Sequence, residues 1–168
     1  MEHLLNKGHE KVGILGGVLE KSRTANARYN GCKKALDAKG ISFDLERQYE
    51  PALFEMAEGY QAMERLIDKM PDLTAVFAMS DVMAVGAMRA IRDRGLRVPE
   101  DVSIIGLDGL AMGRYLIPQL STVKQDSKAI ALRSVQILLD CLEEDAPARH
   151  ETVPFQVLRS ESIRSISR

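Results

Sequence analysis

Short runs of branched and aliphatic residues alternate along this chain with longer stretches in which apolar positions recur every three or four residues. Val12-Gly13-Ile14-Leu15, Ala75-Val76-Phe77-Ala78 and Val102-Ser103-Ile104-Ile105-Gly106 are apolar runs predicted to form buried strands. Gln48-Tyr49-Glu50 and Ser121-Thr122-Val123 read as shorter strands. Helical spacing predicts a helix over 25–39, with Ala27, Cys32, Ala35 and Leu36 on its apolar face, and another over 55–69 with Met56, Tyr60, Met63 and Ile67. A third starts with Ser80 or Asp81 as its cap, carries Met83, Ala84, Ala87, Met88 and Ile91 on one side, and closes at Gly95. A fourth covers 127–142 with Ile130, Val135, Leu138 and Leu139 apolar. Strands alternating with helices at this spacing define an α/β fold: a doubly wound parallel sheet with helices on both faces and right-handed crossovers.

Smaller features complete the pattern. Met1 to Lys7 reads as the tail of a helix ended by Gly8, short enough to belong to a longer element in a parent protein. Met112 to Ile117 reads as a helical turn with exposed apolar character. Glu143-Glu144-Asp145-Ala146-Pro147 is expected to be a surface loop, and Thr152 to Leu158 an extended edge segment because Pro154 interrupts it. The polar tail Ser160 to Arg168 is expected to fray. No internal repeat or interdomain linker divides the chain.

All the strand-to-helix exits of such a sheet emerge on one edge, where open α/β sheets bind ligands. Those exits carry Gly16-Gly17 with the loop to Arg28, Phe54, Ser80-Asp81 and Asp108. Each has a plainer account: Ser80 and Asp81 as helix caps, Asp108 as the cap of a turn, Arg28 as a solvated helix residue, Phe54 as core. Their convergence on one rim is what points to a pocket. A carboxylate accepts hydrogen bonds from adjacent hydroxyls, a guanidinium donates a planar fork, and an aromatic ring stacks on a flat apolar face.

Composition narrows the partners. With 23 basic and 24 acidic residues the net charge is −1, which leaves no basic excess to hold a phosphate backbone. No apolar run is long enough to span a bilayer, so no membrane partner is expected. Cys32 and Cys141 stand far apart without metal or redox spacing, fitting packing thiols in a reducing cytoplasm. Gly13-Ile14-Leu15-Gly16-Gly17 matches neither phosphate-binding glycine motif, and no catalytic triad or metal-ligand spacing is present, so no cofactor or metal is expected.

Five segments, in order, resemble the lac-repressor family of bacterial transcription regulators: Gly8-His9-Glu10-Lys11-Val12-Gly13, Ala27-Arg28-Tyr29-Asn30-Gly31, Phe77 to Gly86, Arg97 to Asp108, and Pro118 to Gln125. The resemblance runs from Leu4 to about Ser162. It implies a sensor built like a periplasmic sugar-binding protein, of which 1–168 is the C-terminal subdomain. The DNA-binding headpiece is absent, and helix 127–142 belongs with the missing N-terminal subdomain. It places a sugar-like or nucleoside-like effector against Arg28, Phe54, Ser80, Asp108 and Gln125. It also implies a homodimer meeting through Met56, Tyr60, Val85, Tyr115 and Ile117, and contact with DNA only through the headpiece. Ser80 departs from the asparagine frequent at that position, and Leu107 from a frequent aromatic. Two alternatives share the sheet: a periplasmic-type sugar-binding protein and a nucleotide-dependent enzyme.

Overall fold

The computed structural model describes residues 1–143, 147 and 149–166. Among these the order is α1 (Glu2–Leu5), β1 (Val12–Gly16), α2 (Arg23–Asp37), α3 (Leu45–Gln48), β2 (Tyr49–Pro51), α4 (Met56–Lys69), β3 (Ala75–Ala78), α5 (Asp81–Asp93), β4 (Ser103–Asp108), a 3-10 turn over Ala111–Tyr115, β5 (Ser121–Gln125), α6 (Ser127–Glu143) and β6 (Phe155–Leu158). The surface loop expected around 144–146 lies outside the described residues.

The six strands lie in the order β2-β1-β3-β4-β5-β6. The first five pair in parallel, with Ile14 opposite Phe77 and Phe77 opposite Ile105. The sixth is antiparallel, with Gln125 opposite Phe155 and Val123 opposite Val157. The chain leaves the sheet at the carboxyl end of β5 and returns at that same end, so its next strand must run backwards. The expected parallel sheet therefore carries one antiparallel edge, a common arrangement in α/β folds.

Alternate residues of the strands feed two cores. On one face Val76, Ala78 and Ile104 meet Ala62, Met63 and Leu66 of α4 and Met83, Ala84, Ala87 and Ile91 of α5. On the other, Ile14, Ala75, Phe77 and Ile105 meet Leu4 and Leu5 of α1 and Cys32, Ala35 and Leu36 of α2. Burying one such aliphatic side chain contributes about 1.5–3 kcal/mol, so each helix is held by its apolar stripe. Burial pushes the Cys32 thiol up to about 11, which leaves it a protonated packing group. α6 differs: Leu132, Val135, Leu138 and Leu142 are each more than half exposed.

The tail does not fray as expected. Ser162 is fully buried and behaves like part of the sheet. Its carbonyl accepts the Ile104 amide at 2.8 Å, its Oγ donates to the Ile104 carbonyl at 2.7 Å, and the same Oγ accepts the Ser121 amide at 2.8 Å. Farther on, the Ile166 amide donates to the Lys7 carbonyl at 2.8 Å. The run of serines and arginines looked solvated because backbone hydrogen bonding leaves no mark on composition.

His9 fastens that tail. It is fully buried, its Nε2–H donates to the Arg164 carbonyl at 3.1 Å, and Nδ1 lies 3.2 Å from Thr74 Oγ1. Burial is the main force lowering its pKa below 6.5, and the Arg164 charge adds to it; the hydrogen bond to the Arg164 carbonyl opposes it. A histidine held neutral in the fold contributes stability that is present above the unfolded value and is lost as pH falls below it. The melting temperature is therefore expected to drop as pH falls below about 6.5. His9→Gln, which keeps the similarly lowered His3, should flatten that slope in thermal melts at falling pH. An unchanged slope would count against His9 as its source.

Candidate effector site

Strand order reverses between β1 and β3, because β2 lies on one side of β1 and β3 on the other. Outside the carboxyl ends of the strands at such a reversal, flanking loops separate and leave a crevice. The Gly16-Gly17 exit of β1 and the Met79-Ser80 exit of β3 border it.

Arg28, on the second turn of α2, crosses this gap. Its Nη1 donates to the Met79 carbonyl at 2.7 Å, and its Nη2 lies 4.0 Å from Asp108 Oδ1 at the end of β4. At that distance the pair attract but form no hydrogen bond, so both keep polar capacity facing outward. The Arg28 and Asp108 side chains are 21% and 31% exposed, so both are partly open to solvent. Gln125, the last residue of β5, donates Nε2–H to the same Asp108 oxygen at 2.9 Å. The Phe54 ring centre stands 5.9 Å from the Arg28 guanidinium carbon, within cation–π range. Gly17 leaves room for that ring, since a Cβ there would sit 3.1 Å from it.

Asp108 is held in an uncommon state. Its φ is 128°, in the region that favours glycine. Burial pushes its carboxyl above the ordinary carboxylate range. Arg28 pulls it back, the Asp81 charge adds to the rise, and hydrogen bonds from Gln125 and the Asp81 backbone oppose it. An acceptor with raised basicity and partial burial suits a ligand that donates N–H or O–H groups.

Four of the five residues expected at the site, Arg28, Phe54, Asp108 and Gln125, thus form one cluster. Ser80 lies at the same edge, but it is 3% exposed and its Oγ accepts the Met83 amide at 3.1 Å. Its structural part is to start α5. Asp81, which reads as a cap in the sequence, instead reaches across to the turn after β4. Its partner Thr122 lies 41 positions away, a contact no local pattern reveals. Among the described residues, no group of three or more His, Cys, Asp or Glu side chains could hold a metal, and no helix is long and apolar enough to cross a membrane.

The residues expected at a dimer contact occupy a second region. Met56 and Tyr60 lie on α4, Val85 on the α5 packed against it, and Tyr115 and Ile117 at the end of the 3-10 turn and just beyond. Tyr115 and Ile117 are 84% and 96% exposed, and Val85, Met88, Leu116 and Ile117 line a cavity of about 420 Å³. Arg89, Arg92, Arg97 and Glu100 line the same hollow, and exposed apolar side chains beside such a hollow are typical of interaction surfaces.

Residues 1–163 match the model of the periplasmic binding protein-like domain. The chain is 38% identical over 168 residues to the HTH-type transcriptional repressor PurR of Pasteurella multocida, covering 98% of this chain and 49% of that protein. To the PurR repressor of Haemophilus influenzae (strain PittEE) it is 41% identical over 170 residues, covering 98% and 50%. The lac repressor dimer bound to operator and the anti-inducer ONPF superposes with a TM-score of 0.89 at 30% identity, covering 97% of this chain and 56% of that one. A LacI-family regulator from Enterococcus faecium with bound ribose gives 0.86 at 30% identity, covering 99% and 61%. The chain belongs to the periplasmic-binding-protein-like domain family, among the effector-binding domains of lac-repressor-type regulators. It spans about half the length of the curated relatives it matches. Those relatives are transcriptional repressors rather than enzymes, which removes the nucleotide-dependent enzyme from the alternatives.

Proposed function

We propose that this chain is one wall of the effector cleft of a cytoplasmic transcription regulator, and that its effector is a flat, purine-type base or nucleoside. The cluster of Arg28, Phe54, Asp108 and Gln125 at the strand-order reversal carries the reading. With Ser80 engaged in the α5 cap, the wall offers one ring for stacking and three polar side chains. A planar base has few edge groups, and each could be met here. A sugar carries several hydroxyls, and every one left unpaired on burial costs affinity. The PurR name of the relatives agrees with this preference. The ribose bound to the LacI-family regulator and the cellobiose bound to the transcriptional regulator CelR, a similar structure, keep a sugar effector as the second reading.

The mechanism is closure of a second lobe over this wall, which shifts the pairing of two copies and the spacing of their headpieces on DNA. The apolar stripe of α6 faces that second lobe, in the half of the relatives this chain does not span. Met56, Tyr60, Val85, Tyr115 and Ile117 form the homodimer contact. A secreted sugar-binding role ranks below this, since the relatives are repressors.

Isothermal titration of the chain with purine bases, their nucleosides, ribose and cellobiose tests the assignment. Saturable binding of a purine, weaker than in a two-lobed protein, is expected. Binding of the sugars with no response to any purine would reverse the effector class, and silence across the panel would remove the site.

A further inference from the structure

Asp81 is fully buried and does not serve as a helix cap, because Ser80 does. Its two carboxylate oxygens are spent elsewhere. Oδ2 accepts the Leu110 amide at 2.6 Å, and Oδ1 accepts the Thr122 hydroxyl at 2.6 Å. That hydroxyl oxygen in turn accepts the Gly109 amide at 3.3 Å. Two successive amides of the turn after β4 are thus clamped, one by Asp81 itself and one through Thr122.

The turn needs a clamp. Asp108 and Gly109 sit at φ of 128° and 78° in succession, and the first has a side chain that disfavours this conformation. Charge-assisted hydrogen bonds are roughly twice as strong as neutral ones, so a buried carboxylate is a strong tether. The seat is cut to fit it. Gly106 of β4 has no Cβ, and one placed there would collide with Asp81 Oδ1. The positive end of the α5 dipole, on whose first residue Asp81 stands, compensates the charge.

We propose that Asp81 is a positioning residue of the effector site: through Leu110 and Thr122 it fixes the strained turn that aims the Asp108 carboxylate at Arg28 and Gln125. The proposal rests on the effector reading above, but its test needs no effector. Amide hydrogen exchange and the Gln125 side-chain amide signal are followed by NMR in the full 168-residue chain and in Asp81→Asn, Thr122→Val and Thr122→Ser. Asp81→Asn is expected to accelerate Leu110 exchange, and Thr122→Val Gly109 exchange, each by about tenfold or more. In both, the Gln125 signal should move as its bond to Asp108 loosens. Thr122→Ser keeps the hydroxyl and should behave as the parent. Ile91→Val, in the buried core of α5, controls for general destabilisation and should leave these signals in place.

Unchanged turn amides and an unchanged Gln125 signal in Thr122→Val would overturn the proposal even if Asp81→Asn failed to fold. Equal changes in Ile91→Val would do the same. Absence of purine binding with these shifts present would refute the effector reading and leave the clamp standing.

Discussion

Asp108→Gly is expected to weaken effector binding by at least about 10-fold, and about 100-fold or more if two hydrogen bonds are lost, while making the chain more stable. The two halves of this result have separate causes. The Asp108 carboxylate is the acceptor at the centre of the cluster, facing Arg28 at 4.0 Å and Gln125 at 2.9 Å. A bound base would donate to it, and hydrogen bonds to a charged group are worth about 1.5–3 kcal/mol each. Losing one of them amounts to about one to two decades in affinity, and losing two to about two to four. Stability moves the other way because Asp108 holds φ at 128°. Such conformations cost about 1–3 kcal/mol outside glycine, and glycine relieves that cost. Asp108→Ala should lose binding equally, but it keeps the strain and should melt below Asp108→Gly.

Charge contributes as well. The Asp108 carboxyl is pushed up, chiefly by burial, above its ordinary value of 3.8. A carboxyl raised in the fold favours folding while protonated, and that contribution is lost as pH rises through the raised value. At pH 7 the ionised group is therefore a net cost, and Asp108→Asn should also melt higher than the parent. Titration calorimetry and thermal melts on the three variants check these outcomes together. A lower melting temperature for Asp108→Gly would refute the strain argument, and parental affinity in Asp108→Ala would remove Asp108 from the site.

Much of this arrangement can be read along the chain, because its causes are local. The runs at Val12, Ala75 and Ser103 became strands, and the spacing of Met83, Ala84, Ala87 and Ile91 became the buried side of α5. The topology rule that gathers strand exits on one edge then brings Arg28, Phe54 and Asp108 together without any knowledge of contacts. Most of what the pattern does not show depends on partners far away. Asp81 and Ser80 are neighbours with similar capping chemistry. Only the extended backbone of Ser80, at φ −155° and ψ 157°, decides that it is the cap and frees Asp81 for Thr122. The direction of β6 is set by where the chain re-enters the sheet, and its residues look the same either way. α3 is four residues long and owes its start to an Asp44 side chain that accepts the Glu46 and Arg47 amides, too short a span for any periodicity to show.

Two glycines with no special turn to make carry the second large effect. Gly86→Ala is expected to destabilise the chain by about 3 kcal/mol or more, lowering the melting temperature by roughly 6–12 °C. α4 and α5 meet glycine to backbone on both sides. A Cβ on Gly86 would collide with the Met56 carbonyl oxygen and come within 2.8 Å of the Tyr60 nitrogen. A Cβ on Gly59 would collide with the Met83 carbonyl oxygen and come within 2.7 Å of the Met83 Cα. Side chains can turn aside from an added methyl, but helix backbones can only move apart. Separation would open the core of Ala62, Met63, Met83 and Ala87 beneath them. It would also split the surface on which Met56, Tyr60 and Val85 lie, so association between copies should weaken in step with stability. Gly31→Ala supplies the contrast. Gly31 lies within α2 and a Cβ there meets nothing within 4 Å, so alanine should add about 1 kcal/mol of helix propensity and raise the melting temperature by a few degrees. The same added methyl is thus expected to act with opposite sign on two helices, and thermal melts of the pair decide it. If Gly86→Ala melted with the parent, α4 and α5 could not be packed as closely as this structure has them.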